Sequence, residues 1–207
     1  TDFNTEWARS YQQSLSDLSF VIKNGSPAQS GAAQILTANI YQTLVDLYGD
    51  IPYSEALKGA IEDGAILTPK YDGAKSIYDD LLVKIDEALA NLAKGGALGA
   101  EDLIYGGDIS KWVKFGNSLK LKILVRQSNL SDPSVATKIK SLVSSASFIE
   151  AQDEMARVPF SGGAANNWNP QYGSAESGIG MFYVASKSFT TVLSKLNDSR
   201  AGVLFNP

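Results

Sequence analysis

The residues best suited to holding a ligand are Asn167, Trp168, Asn169 and Tyr172. They sit in the run Ser161-Gly162-Gly163-Ala164-Ala165-Asn166-Asn167-Trp168-Asn169-Pro170-Gln171-Tyr172-Gly173. An indole can stack on the apolar face of a sugar ring, while an Asn side chain offers a paired donor and acceptor to its hydroxyls. Burying about 100 Å² of such a face, at ~25 cal/mol/Å², is worth on the order of 2.5 kcal/mol. One platform of this kind with a few hydrogen bonds gives weak, transferable binding. The competing reading folds Trp168 back to anchor its own loop. Trp7 and Trp112 differ, because each falls on an apolar stripe of helical period, and core packing is expected of both.

Other chemistry is narrowed by what the chain lacks. With no Cys and no His among 207 residues, disulfides, thiolate zinc sites and Ser-His-Asp catalysis cannot be built. Asp79-Asp80 and Asp86-Glu87 read as the charged outer face of a helix. Glu62-Asp63 and Glu101-Asp102 are loop pairs near glycines, without a calcium-loop pattern around them. No catalytic residue, metal or cofactor is therefore assigned. A glycosidase would need two carboxylates across a cleft, and Glu62 and Asp102 are the candidates for that alternative. A formal net charge of -4 and a pI near 4.9 argue against nucleic acid, which requires clustered Lys and Arg. No apolar run approaches the ~20 residues of a membrane helix. The polar opening Thr1-Asp2-Phe3-Asn4 has no signal-peptide character, and the ending Gly202-Val203-Leu204-Phe205-Asn206-Pro207 has no stop signal, so a longer parent protein is expected.

The elements that must position these residues are helical. Trp7, Tyr11, Leu15, Leu18 and Ile22 form one stripe, and Leu36, Ile40, Leu44 and Leu47 a second. Ile77, Leu81, Ile85, Ala88 and Leu92 form a third, Trp112, Phe115, Leu119 and Ile123 a fourth, and Val135, Ile139, Leu142 and Val143 a fifth. Ser26-Pro27-Ala28-Gln29 matches a capping box with Pro at the first helical position. Asp72, Asp108 and Asp132 read as further N-caps, and Lys111, Lys114, Lys120 and Lys122 as mostly outward. The spacing predicts helices near residues 5–23, 27–47, 74–94, 109–129, 133–144 and 181–196, packed as antiparallel pairs of tetratricopeptide-like type. The fold class is all-α, with no strand pair expected. Residues 48–72 and about 145–180 lack helical period, and loops of that length tend to carry function.

Four segments, in this order and spacing, resemble the SusD/RagB family, in particular its SusD-like branch. The first is Asp46-Leu47-Tyr48-Gly49-Asp50-Ile51-Pro52-Tyr53-Ser54-Glu55-Ala56-Leu57. The second is Thr68-Pro69-Lys70-Tyr71-Asp72, leading to Ile77-Tyr78-Asp79-Asp80-Leu81-Leu82. The third joins Asp102-Leu103-Ile104-Tyr105-Gly106-Gly107-Asp108 to Lys111-Trp112-Val113-Lys114-Phe115-Gly116-Asn117. The last is Leu196-Asn197-Asp198-Ser199-Arg200, with Ser where the family has Pro. The resemblance implies that residues 1–207 are the N-terminal-to-central part of a single helical domain whose C-terminal remainder is missing. It further implies an outer-membrane lipoprotein of the cell surface that captures oligosaccharides, or peptides in the RagB branch, for a SusC-like TonB-dependent transporter. The lipid-bearing Cys of such proteins is absent from this chain. The alternative from another class is an intracellular helical-repeat scaffold for protein segments.

Overall fold

The computed structural model describes residues 3–59, 64–130, 132–164, 167–170, 172–173 and 185–204. The chain divides into two compact units, Thr1–Arg157 and Val158–Pro207.

The first unit begins with α1 (Phe3–Arg9), continues through a π-helical segment (Ser10–Leu15) and runs on as α2 (Ser16–Asn24). Then follow α3 (Pro27–Tyr48), α4 (Ala74–Ala93), α5 (Ile109–Arg126) and α6 (Pro133–Ser145). Each packs mainly on its sequence neighbour, giving the all-α succession of helix pairs that the stripes predict. The start of α3 is the expected capping box. The Gln29 N–H donates to the Ser26 hydroxyl at 3.3 Å, and the Ser26 N–H to the Gln29 side chain at 2.8 Å. Asp108 and Asp132 cap α5 and α6 in the same local way. Gly49, at φ +76°, turns the chain out of α3.

The α3–α4 pair forms the centre of the unit. Its two helices run antiparallel: Asn91 near the end of α4 donates to Gln34 near the start of α3 at 2.9 Å. At the other end, the Tyr78 hydroxyl and the Gln42 amide donate to Asp46, whose carboxylate also meets Arg126 of α5 at 2.8 Å. Ile35 and Leu44 interleave with Ile77, Leu81, Ile85, Ala88 and Leu92, all buried. Gly31 makes the close crossing possible, since a Cβ there would sit 2.7 Å from the Ala88 carbonyl oxygen and 3.0 Å from the Leu92 nitrogen.

Several expectations need correction. Asp72 does not cap α4. Its carboxylate accepts from the backbone N–H groups of Tyr53 and Ser54, the latter at 2.7 Å, and Asp50 takes the Ala74 N–H at 2.8 Å instead. A strand pair does exist: β1 (Ile51–Pro52) lies antiparallel to β2 (Tyr71–Asp72), too short to leave a period in the sequence. Leu47 and Val143, placed inside by spacing, are largely exposed. At the end of α3 it is Tyr48 that packs, edge-on to Trp7 at 4.9 Å. Three of the outward lysines are tied down: Lys111 to the Asp153 carbonyl at 2.8 Å, Lys114 to Glu154 and Lys120 to Asp86. The segment 147–154 folds back along α5 to receive Lys111 and Lys114, and the Asn117 amide donates to the Ser147 carbonyl at 3.0 Å.

In the second unit, the helix expected at 181–196 is present as α7 (Lys187–Lys195); its first four expected residues lie outside the described residues. Leu193 is its buried side chain. Asp198 then accepts from the Arg200 N–H and guanidinium at the entrance to α8 (Ala201–Leu204).

Candidate functional site

The 161–173 stretch owes its shape to two glycines and a few backbone hydrogen bonds. Gly162 and Gly163 have φ of +69° and +76°, a conformation that costs glycine little and other residues more. The Gly162 N–H then donates to the Asn167 carbonyl at 3.3 Å, and the Asn167 N–H to the Ala164 carbonyl at 2.9 Å. The Trp168 indole N–H donates to the Gly163 carbonyl at 3.1 Å. Four residues on, Tyr172 meets the indole edge to face, with centroids 5.2 Å apart and planes at 86°, a favoured arrangement for aromatic pairs.

All four residues singled out by sequence are thus placed. Trp168 and Tyr172 form one aromatic unit, and Asn167 and Asn169, the chain neighbours of Trp168, are exposed. Trp168 is partly buried and Tyr172 52% exposed. The indole N–H is spent within the loop. Anchoring and presentation are therefore compatible: one edge of the indole is pinned, and the pinning fixes the plane of the ring.

The loop carboxylates are arranged differently. Burial works against ionisation of Asp102, yet the Trp112 indole N–H and the backbone N–H groups of Gly107, Tyr105 and Ile104 together hold it below its ordinary range. Glu101 is lowered by its own backbone N–H and that of Gly99. A glycosidase acid needs the opposite, a carboxyl raised so that it stays protonated. Glu62 and Asp63 lie outside the described residues. Among the described residues, no group of three or more His, Cys, Asp or Glu is placed to hold a metal, and no helix is long and apolar enough to cross a membrane.

Sequence reasoning missed a cleft of about 680 Å³ in the first unit, walled by α2, α3, α4 and the segment after β1. Asp80, assigned to the solvent face, belongs to it and accepts from the Tyr53 hydroxyl at 2.6 Å.

A family model described as starch-binding, associating with outer membrane, matches residues 2–207. A SusD/RagB family protein from Bacteroides thetaiotaomicron is similar at 30% identity and a TM-score of 0.76, over 97% of this chain and 42% of that one. A chitin-binding protein is similar at 29% identity and the same TM-score, over 95% of this chain and 41% of that one. A SusD homologue from Bacteroides fragilis, 21% identical, shares the fold at a TM-score of 0.72. The chain therefore spans well under half the length of these relatives. Among curated proteins, none matches it.

Proposed function

The chain belongs to the SusD-like family, and from that premise we propose that it captures oligosaccharides at the cell surface and delivers them to a SusC-like TonB-dependent transporter of the outer membrane. The observation that carries this reading is the Trp168–Tyr172 pair, pinned through the Gly163 carbonyl and flanked by Asn167 and Asn169. A fixed aromatic plane accepts the apolar face of a sugar without an ordering cost at the moment of binding. The neighbouring amides of Asn167 and Asn169 would supply donors and acceptors to the hydroxyl rim. The family's description as starch-binding and the similar chitin-binding protein support a glycan as ligand. The Glu101 and Asp102 carboxyls, both held below their ordinary range, do not suit the protonated acid that a glycosidase uses. Attachment to the membrane would come from a lipid-bearing Cys outside these 207 residues.

The test is calorimetric titration of the full-length protein with maltohexaose and chitohexaose, beside a melting curve. Trp168→Ala is expected to weaken binding about ten-fold, the equivalent of ~1.4 kcal/mol, with little change in Tm. Unchanged affinity together with a large fall in Tm would show that Trp168 only anchors its loop. Release of reducing ends, lost on Asp102→Asn, would replace this reading with a hydrolytic one.

A further inference from the structure

Thr37 and Tyr41 lie four residues apart on α3, so their side chains share a face. Both line the cleft of about 680 Å³, together with Ile22 and Ala38, with Tyr53, Ser54, Ala56 and Lys58 after β1, and with Asp80, Lys84 and Glu87 of α4. Its volume falls within the about 300–1,000 Å³ usual for small-molecule sites.

Among the described residues, two buried side-chain atoms of α3 lack a hydrogen-bond partner, the Thr37 hydroxyl oxygen and the Gln42 amide oxygen, and of the two residues Thr37 lines the cleft. Tyr41 is 5% exposed, and burial alone pushes its hydroxyl up to about 12, with no hydrogen bond contributing. Four other tyrosines of this unit are matched to protein oxygens: Tyr11 to the Pro52 carbonyl at 2.6 Å, Tyr53 to Asp80 at 2.6 Å, Tyr78 to Asp46 and Tyr105 to the Glu154 carbonyl at 2.8 Å. Buried polar groups without partners are uncommon in native chains and call for an explanation. Thr37 carries one such group on the wall of the cleft, and Tyr41, one helical turn on, adds a hydroxyl to the same wall.

The lining identifies the chemistry of that partner. Lys58 and Lys84 balance Asp80 and Glu87, so the cleft favours neither an anion nor a cation. These charges are also engaged already: Lys84 with Glu87 at 3.0 Å, Lys58 with the Ser54 carbonyl at 2.8 Å, Asp80 with Tyr53. What remains is a pair of hydroxyls that can each donate and accept, beside the apolar surface of Ile22, Ala38 and Leu81. A sugar ring has the complementary character, hydroxyls on its rim and C–H groups on its faces.

We infer that this cleft is a second carbohydrate site, taking one or two sugar units through the hydroxyls of Thr37 and Tyr41. The ligand class rests on the reading under Proposed function, whereas the location rests on the cleft alone.

The experiment follows the methyl NMR signals of Ala38 and Ala56 in the full-length protein during titration with maltohexaose and with chitohexaose, alongside the Trp168 indole signal. Both methyls are expected to shift with at least one of the two sugars, in the wild type and equally in Trp168→Ala. In the pair of variants Tyr41→Phe and Thr37→Val/Tyr41→Phe, the affinity read at Ala38 and Ala56 falls, about ten-fold in the double variant. Tm stays level or rises, because an apolar group of the same shape replaces an unsatisfied hydroxyl. Methyls that stay still while the indole responds would overturn the cleft and leave the loop site standing. Methyl shifts that vanish in Trp168→Ala, or that survive unchanged in the double variant, would also overturn it. Silence at both reporters would overturn both sites.

Discussion

The α3–α4 pair and the 161–173 loop each hold side chains in place, but by different forces. Along α3 and α4, position comes from apolar interdigitation of Ile35, Leu44, Ile77, Leu81, Ile85 and Leu92, with backbones brought close at Gly31. In the loop, position comes from a handful of hydrogen bonds, among them the one from the Trp168 indole to the Gly163 carbonyl. The difference teaches where tolerance lies. A packed pair distributes its stability over many contacts, each of which costs energy when trimmed. A hydrogen-bonded loop concentrates its geometry in a few groups whose removal changes shape more than stability.

The largest effect should come from cutting into the packed pair. Ile85, fully buried in α4, leaves a cavity when replaced, and Ile85→Ala should cost about 2–5 kcal/mol in urea unfolding. A loss under about 1 kcal/mol would mean the pair is held by something other than packing.

Asp102 shares features of both regions, because one carboxylate accepts from the backbone N–H groups of Ile104, Tyr105 and Gly107 and from the Trp112 indole at 2.7 Å. Asp102→Ala strands donors beside the buried Trp112. It should destabilise by about 1–3 kcal/mol in the same unfolding measurement.

Within the loop, Trp168→Phe keeps an aromatic ring and deletes the donor to Gly163. The local bond should be worth about 0.5–1.5 kcal/mol. It is best read as faster amide exchange at Gly162 and Asn167, with global unfolding hardly altered. If global stability falls as far as in Ile85→Ala, the contrast between the two regions fails.

The smallest effect should be one of acidity. Backbone N–H donation from Glu150, the ammonium of Lys114 and the N–H of Ala151 hold Glu154 down to about 2. A carboxyl lowered on folding stabilises above its unfolded value, near 4.5, and that contribution fades as the pH falls toward 2. The difference in Tm between wild type and Glu154→Gln should therefore be full at neutral pH and close progressively below about pH 4.5.

Much of this was legible in the sequence, and the reasons are physical. Ser26, Asp108 and Asp132 were recognisable as caps because each satisfies donors two or three residues away. Asp72 stands in an equivalent place before α4, but its carboxylate is taken by Ser54, eighteen residues earlier in the chain, and spacing does not reveal that. The membership of the family and the helix pairs came through for the same local reason, since stripes and turn motifs are short-range patterns. The pairing of Trp168 with Tyr172 was implicit in their separation, whereas the pin at Gly163 depends on two positive φ angles. The cleft was hidden altogether. Its walls come from Ile22, Thr37, Tyr53 and Glu87, four places that only the fold brings together.

The β1–β2 clasp has a consequence for how such a chain can diversify. Ile51 opposite Asp72 and Pro52 opposite Tyr71, with Asp50 holding the Ala74 N–H, fasten both ends of the intervening segment to the helix pair. Polymer statistics then make the length of that segment nearly indifferent, since doubling a closed loop costs only about 0.6 kcal/mol. The same segment supplies Tyr53, Ser54, Ala56 and Lys58 to the rim of the cleft. Its sequence can be exchanged as a cassette between fixed posts, so a lineage can try new rims against an unchanged floor of Thr37 and Tyr41.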